Sequence, residues 1–303
     1  GNVTITSGDG IDEFVVNSSN LSYNAQNGVY INANGNGVKT LNLNQGHVRK
    51  FDSGSGDDVI KSSSGTTIGA YYNQVINTRA GNDTITLDGF LIAGTSVNLG
   101  EGNDNLLING GSQSDNPYSN SPYSYIYGEA GDDTITVSGD KATRIIVDLG
   151  DGNDSFNASA ATNLDVERSS VGGGRGDDTL VGNDNNNLFY GESGDDTLNA
   201  GGGNDVIYGG HNYYAKGDDG SVDIAVFSGA SDEYTVSRVT DVNFGYVYYI
   251  QDTRDDSPDG LDTLYDIDKL RFSDGDFDIE TYYQEKVNGC LLYTSDAADD
   301  LVC

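Results

Sequence analysis

Short runs in which apolar and polar residues alternate recur along the chain, at 84–87, 96–99, 134–137 and 144–149. Alternation of this kind places every second side chain on one face, as in a β-strand with one buried face. Clusters of Gly, Asn and Asp separate these runs and mark turns. No long stretch has the period of an amphipathic helix. The pattern therefore predicts an all-β fold.

Four nine-residue units stand end to end at 173–208, and each fits the pattern Gly-Gly-x-Gly-x-Asp-x-U-x, where U is a large apolar residue. The other motif positions, which we take as candidate metal-site residues, are Gly173, Gly174, Gly176, Asp178, Gly182, Asn187, Gly191, Gly194, Asp196, Gly201, Gly203 and Asp205. Two units are expected to form one coil of a parallel β-roll. The turn at 173–178 then lies on the turn at 191–196, and the turn at 182–187 lies on 200–205.

The turns have the chemistry of a calcium site. Glycines allow positive φ and a tight turn whose carbonyl groups crowd inward. A hard cation such as calcium needs six to eight oxygen ligands at about 2.3–2.6 Å. Asp178 and Asp196 are expected near shared ions, whereas Asn187 lacks a charge and predicts a weaker site with Asp205. Hairpin turns in an antiparallel sheet are the alternative, but hairpins do not require a nine-residue period.

Upstream, similar turns recur at wider intervals. The candidate residues there are Asp58, Asp83, Asp104, Asp133 and Asp154, and the steps from Asp58 to Asp178 are 25, 21, 29, 21 and 24 residues. Each step is about one coil of a solenoid, which we favour over a β-sandwich of the same strands. The expected fold is a right-handed parallel β-roll or β-helix with a small C-terminal β cap.

The nonapeptides resemble the RTX family of haemolysin-type calcium-binding repeats. Residues 211–280, with strand-like runs at 233–236 and 246–250, resemble the segment that often follows such arrays in proteins exported by type I secretion. The resemblance implies several calcium ions, an extracellular location and the type I secretion machinery as a partner. Physically, this segment is expected to cover the open strand edge of the last coil.

Charge supports cations as partners. The chain has 48 Asp and Glu against 15 Lys and Arg, a net charge of −33, so it repels itself when compact unless cations bind. Nucleic acid is an unsuitable partner because no basic patch is visible. No run of 18 apolar residues occurs, so no transmembrane segment is expected. With 42 Gly and 35% apolar residues, the composition suits a thin solenoid core better than a large globular one.

Four regions are expected: an irregular solenoid at 1–172, the nonapeptide roll at 173–210, the cap at 211–280 and a tail at 281–303. Both cysteines, Cys290 and Cys303, lie in the final segment 290–303. That segment resembles the translation of a sequencing adapter and is interpreted as read-through, with a genuine disulfide-bonded extension as the alternative. The chain has no Met, even at position 1, so it is expected to be processed or a fragment. If the tail is read-through, the open reading frame is expected to be cut near Gly289.

No catalytic motif was found. His47 and His211 are the only histidines and lie in different regions, and no HExxH, GxSxG or phosphate-loop pattern occurs. We therefore expect a calcium-folded module rather than an enzyme. A surface adhesin or polysaccharide-binding repeat protein is the alternative, since Tyr118, Tyr123 and Tyr125 have ring faces that can stack on sugars. A lesser alternative is a β-helix enzyme that acts on polysaccharides, a lyase or an epimerase.

Overall fold

The computed structural model describes residues 3–6, 8–10, 12–17, 29–33, 35–64, 66–68, 74–88, 90–92, 95–110, 112–113, 123–139, 145–162, 170–210 and 220–288. The strands before residue 170 are β1 (Val3–Thr6), β2 (Asp12–Asn17), β3 (Val29–Asn32), β4 (Lys39–Asp52), β5 (Val59–Ser62), β6 (Thr66–Ile68), β7 (Gln74–Asn77), β8 (Thr84–Leu87), β9 (Phe90–Ile92), β10 (Thr95–Glu101), β11 (Asn105–Ile108), β12 (Ser112–Gln113), β13 (Ser124–Ala130), β14 (Thr134–Val137), β15 (Ile145–Asp151) and β16 (Ser155–Asn157).

The nonapeptide region adds β17 (Ser170–Arg175), β18 (Thr179–Val181), β19 (Leu188–Ser193), β20 (Thr197–Asn199), β21 (Val206–Tyr208) and β22 (Ile224–Val226). The C-terminal region contains a 3-10 turn at Ser231–Glu233, then β23 (Tyr234–Asp241), β24 (Gly245–Asp252), β25 (Leu261–Tyr265), β26 (Lys269–Phe272), β27 (Gly275–Asp278) and the helix α1 (Ile279–Asn288). The described chain is thus almost entirely β, as predicted.

The strands form two parallel sheets that face each other across a thin core. One sheet runs through β3, the end of β4, β7, β10, β13, β15, β17, β19 and β21. The other runs through the start of β4, β5, β8, β11, β14, β16, β18, β20 and β22. Parallel pairing throughout both stacks confirms the solenoid and excludes the hairpin and sandwich alternatives for these strands.

The core includes two long columns of apolar side chains, one from each sheet. Residues in register along the first sheet are Ile31, Phe51, Ile76, Val97, Ile126, Val147, Val171, Phe189, Ile207 and Leu264. Those along the second are Leu41, Ile60, Ile85, Leu106, Ile135, Phe156, Leu180, Leu198, Ala225 and Leu270. All are at most 3% exposed. The U residues of the four nonapeptides, Leu180, Phe189, Leu198 and Ile207, are among them and alternate between the two sheets.

Antiparallel strands end the solenoid. In the first sheet β25 pairs in parallel with β21 and antiparallel with β24, and β24 pairs antiparallel with β23. In the second, β26 follows β22 and is covered by the antiparallel β27. Both sheet edges thus receive a local hairpin instead of another coil, which is the arrangement expected of a cap.

The folded unit extends beyond the expected cap boundary at 280. The helix α1 continues to Asn288, and its Tyr282 is 2% exposed and packs on Phe272 and Phe277. Residues 281–288 therefore belong to the cap and not to a tail. Residues 289–303, which include both cysteines and the adapter-like segment, lie outside the described residues, as do Tyr118 and His211. No helix within the described residues is long and apolar enough to cross a membrane.

Candidate metal centre

One line of aspartates joins the turns on one side of the solenoid. We call it the aspartate ladder; its members are Asp58, Asp83, Asp104, Asp133, Asp154, Asp178, Asp196 and Asp223. The Oδ1 atom of each later member accepts a hydrogen bond of 2.6–3.0 Å from the backbone N–H of the member before it. The predicted stacking of 173–178 on 191–196 is confirmed, and the five upstream aspartates continue the same line.

A shorter line lies at the opposite turn of the coil. Oδ1 of Asp205 accepts from the Asn187 N–H at 2.6 Å, and Oδ1 of Asp262 accepts from the Asp205 N–H at 2.8 Å. This confirms the stacking of 182–187 on 200–205. Asp262 and the ladder member Asp223 were not among the predicted site residues. Asp262 stands 57 residues after Asp205, and Asp223 is preceded by Val222 instead of Asn or Asp. The remaining signal is a single Gly, Gly260 or Gly220, shortly before the acid.

The residue before each ladder aspartate forms a second, exposed line of bonds. Its members are Asp57, Asn82, Asn103, Asp132, Asn153, Asp177 and Asp195. Here the side-chain oxygen of each earlier turn accepts from the backbone N–H of the later turn, at 2.8–3.1 Å. These bonds run opposite to those of the ladder. They explain why the turns read Gly-Asn-Asp or Gly-Asp-Asp.

The second carboxylate oxygen of seven ladder residues, from Asp58 to Asp196, has no hydrogen-bond partner. Buried side-chain oxygens without a hydrogen bond include Oδ2 of Asp58, Asp83, Asp104, Asp133, Asp154, Asp178, Asp196 and Asp205, and Oδ1 of Asn187. An ionised oxygen buried without a partner is costly unless a proton or a cation neutralises it. Its repetition at every successive turn indicates a repeated ligand and not a local irregularity.

Burial opposes ionisation of these groups in the absence of a cation. It raises the pKa of Asp83, Asp133, Asp178 and Asp205 to about 7, of Asp104 and Asp154 to about 6, of Asp196 to about 8 and of Asp262 to about 9. It also raises the pKa of Asp58. Like charges in neighbouring turns add to the effect, as Asp223 and Asp178 do at Asp196. A bound cation reverses this preference because it favours the charged form.

The motif glycines leave room beside the unpartnered oxygens. A Cβ atom at Gly173 would lie 2.3 Å from Oδ2 of Asp178, and one at Gly191 would lie 2.3 Å from Oδ2 of Asp196. Gly182 has the matching place beside Asn187, where a Cβ would be 3.0 Å from Cγ. In these three units the glycine at the first position therefore leaves space beside the side chain at the sixth position, whereas the fourth unit has Ala200 there.

The remaining motif glycines are required by backbone conformation. Gly174, Gly176, Gly194, Gly201 and Gly203 all have positive φ, between 96° and 125°. This region strongly favours glycine. These positive φ values make the turns tight, as the sequence predicted. All predicted site residues are thus placed in two stacked lines of turns.

Backbone carbonyl groups must complete any metal site here. Among the described residues, no group of three or more His, Cys, Asp or Glu side chains is arranged to hold a metal ion. Two carboxylates from adjacent turns supply too few ligands for calcium, which takes six to eight oxygens. The donor set that fits is therefore carboxylate oxygens together with turn carbonyls. Their roles as ligands remain predictions.

Asn187 shows which carbonyls converge on the sixth position. Its Nδ2 donates to the carbonyl oxygens of Asn183, at 3.3 Å, and of Asn185, the second and fourth residues of its own turn. The amide nitrogen thus occupies acceptors that a cation would otherwise use. This adds to its lack of charge as a reason to expect a weaker site.

Coils of parallel strands with inward, unpartnered turn oxygens define the class of metal-binding parallel β-rolls. The family model of the RTX calcium-binding nonapeptide repeat matches the chain in four copies, over residues 124–140 and 172–207. These segments are RTX calcium-binding nonapeptide repeats, which confirms the resemblance, and the cofactor of such repeats is calcium, with several ions per domain. The match is to a structural repeat and not to an enzyme family. No curated protein matches the chain.

Proposed function

We propose that this chain is the calcium-folded module of a secreted protein. In this proposal the ladder residues and the motif glycines hold calcium between successive turns. The supporting observation is the unpartnered, buried carboxylate oxygen repeated from Asp58 to Asp196 and at Asp205. Proteins with RTX repeats are typically secreted, which supports an extracellular location.

The balance of core burial, charge and calcium binding favours a chain that folds only when calcium is bound. The apolar core lies between two sheets of short strands, and the net charge of −33 opposes compaction. A ligand that binds only the folded state stabilises it by RT ln(1 + [L]/Kd), about 1.4 kcal/mol per site at tenfold excess over Kd. Extracellular calcium modules have Kd values of about 10⁻⁴–10⁻³ M, so this stabilisation nearly vanishes at intracellular calcium levels. Several sites in series make the response cooperative.

Support of type I export follows from the same switch. A chain that stays unfolded at low calcium can pass a narrow export channel and fold outside, where the cap at 220–288 ends the roll. The test compares export of the full chain with export of a variant in which Asp178, Asp196 and Asp205 are all changed to Ala, which removes both the charge and the ladder acceptor. The variant should be exported but remain sensitive to protease outside the cell. Retention of a folded, protease-resistant wild-type chain inside the cell would contradict the proposal.

Circular dichroism of the full chain during a calcium titration tests the folding switch. Little β signal is expected in excess chelator, with a cooperative rise at millimolar calcium. Magnesium is the matched control, because its small size and demand for octahedral geometry suit a cage of turn carbonyls poorly. A full β signal in chelator that calcium does not change would refute the switch.

The polysaccharide-binding alternative rests on Tyr118, Tyr123 and Tyr125, and a second row of tyrosines, in the roll and cap, does not add to it. Tyr190, Tyr208 and Tyr265 form a row across neighbouring strands, the kind of row on which sugars stack. Their rings already stack on one another, with centroids 4.9 and 4.3 Å apart, and Tyr208 is 8% exposed. The faces that a sugar would use are occupied. The row is better explained as packing between coils.

A further inference from the structure

One turn near the N-terminus carries a cation of its own. The turn at 35–39 has Lys39 at the sixth position, where the next turn has Asp58 and every later turn of that line has an aspartate. The backbone of Lys39 belongs to the same line, since its N–H donates to Oδ1 of Asp58 at 2.6 Å. Its side chain is fully buried, at 0% exposure. Burying an ammonium group in this way requires close partners.

The partners of that ammonium group are turn carbonyls. Nζ donates to the carbonyl oxygen of Gly8 at 2.9 Å and to that of Gly10 at 2.6 Å. Gly8 and Gly10 are the second and fourth residues of the preceding turn. Asn187 uses the carbonyls of the second and fourth residues in its own turn. A nitrogen donor at the sixth position thus reaches carbonyls of second and fourth turn residues in both places, in the preceding turn for Lys39 and in its own turn for Asn187.

We propose that the ammonium group of Lys39 is a resident cation, which takes the place between the first two turns that calcium takes between later turns. It joins the turn at 8–10 to the turn at 35–39 without calcium and excludes calcium from that position by its charge. The line of calcium sites then begins at Asp58. The first turns form a calcium-independent end on which the calcium-dependent coils stack.

The contrast with later turns rests on the proposed calcium function, whereas the anchoring role of Lys39 does not. Failure of the Lys39 proposal and failure of the calcium function can therefore be distinguished. Lys39 is judged by its own variants in chelator. The calcium function is judged by whether turns from Asp83 onward respond to calcium in the wild-type chain.

The test is amide hydrogen exchange of the full chain, with peptides covering 29–52, in chelator and in millimolar calcium. The variants are Lys39→Met, which keeps the apolar stem but removes the charge, and Lys39→Asp, which restores the residue of later turns. Lys61→Met is the control, because Lys61 is an exposed lysine of β5. We expect Lys39→Met to lower protection of 35–43 about tenfold or more in chelator, since hydrogen bonds from charged donors are strong ones. Lys61→Met should leave it unchanged.

The aspartate variant gives the second readout. Lys39→Asp should lose protection of 35–43 in chelator, regain it in calcium and bind one more calcium ion than the wild type by calorimetry. The proposal is overturned if Lys39→Met protects these residues as well as Lys61→Met does. It is also overturned if the wild-type turn gains protection only with calcium, or if Lys39→Asp responds to calcium no more than Lys39→Met. If a variant does not fold, the wild-type exchange in chelator alone decides.

Discussion

Replacing Asp196 with Asn should change stability in opposite directions with and without calcium. The Asp196 side chain is fully buried, its Oδ1 accepts from the Asp178 N–H at 2.8 Å, and its Oδ2 has no partner. Asn keeps the Oδ1 acceptor and removes only the charge. The substitution therefore separates the structural bond of the ladder from the interaction with a cation.

The magnitude follows from the pKa of about 8, against an ordinary value of 3.8, which burial of the carboxylate causes first. One pKa unit corresponds to about 1.4 kcal/mol, and pH 7 lies about three units above 3.8, so burying this group in its protonated form costs on the order of 4 kcal/mol at pH 7. The substitution avoids this cost, but the new Nδ2 group needs a hydrogen-bond acceptor. A net increase of about 1–3 kcal/mol in the free energy of unfolding is therefore expected without calcium. With calcium, loss of a carboxylate shared by two ions should cost about 3 kcal/mol at tenfold excess over Kd.

Urea unfolding at pH 7 followed by circular dichroism measures both effects. Sucrose, which favours the compact state, brings the calcium-free transition into range. Asp177→Asn is the matched control because it removes the same charge from an exposed side chain. Oδ1 of Asp177 also accepts a ladder-like hydrogen bond, from the Asp195 N–H at 3.0 Å. The reasoning is refuted if Asp196→Asn shifts stability in the same direction in both conditions, or if Asp177→Asn has an equal effect.

Three further outcomes are expected. Asp178→Ala and Asp196→Ala should raise the calcium midpoint of folding more than Asn187→Ala, because only a carboxylate contributes charge; equal midpoints in a dichroism titration would contradict this. Gly173→Ala should raise the midpoint strongly, since its Cβ would lie 2.3 Å from Oδ2 of Asp178, whereas Gly172→Ala meets only a flexible glutamate at 3.2 Å and should not. Without calcium, β signal should increase from pH 8 to 5: the ladder pKa values of about 6 to 8 exceed the unfolded 3.8, so the folded state gains protons and stability as pH falls. A decrease over this range would show that the carboxylates are not held against ionisation.

The site was predictable wherever the turns themselves are regular. The nine-residue period gave the stacking of 173–208, and the upstream aspartates were identified despite steps of 21 to 29 residues. Their irregular steps come from insertions at the opposite end of each coil, such as the one between β14 and β15. The turn itself stays constant, so a short Gly-Asn-Asp signal sufficed.

Other parts of the site have no sequence period. Asp262 follows a long insertion and Asp223 lacks the Gly-Asn-Asp or Gly-Asp-Asp signal, and only the parallel pairing of β22 and β25 returns them to their lines. Lys39 replaces the motif residue, so a motif search passes over it. The helix α1 is set by packing of Tyr282 on the cap aromatics, a tertiary contact that its short sequence does not reveal.

The most direct test of the account is a crystal structure of the chain grown in calcium, with anomalous scattering used to place the ions. The account predicts ions between successive turns, next to Oδ2 of Asp178 and Asp196, at the 2.3–2.6 Å or so expected of calcium. It also predicts that the ammonium group of Lys39, and no ion, lies between the first two turns. Ladder oxygens bound only to water, with no anomalous peak between the turns, would contradict it.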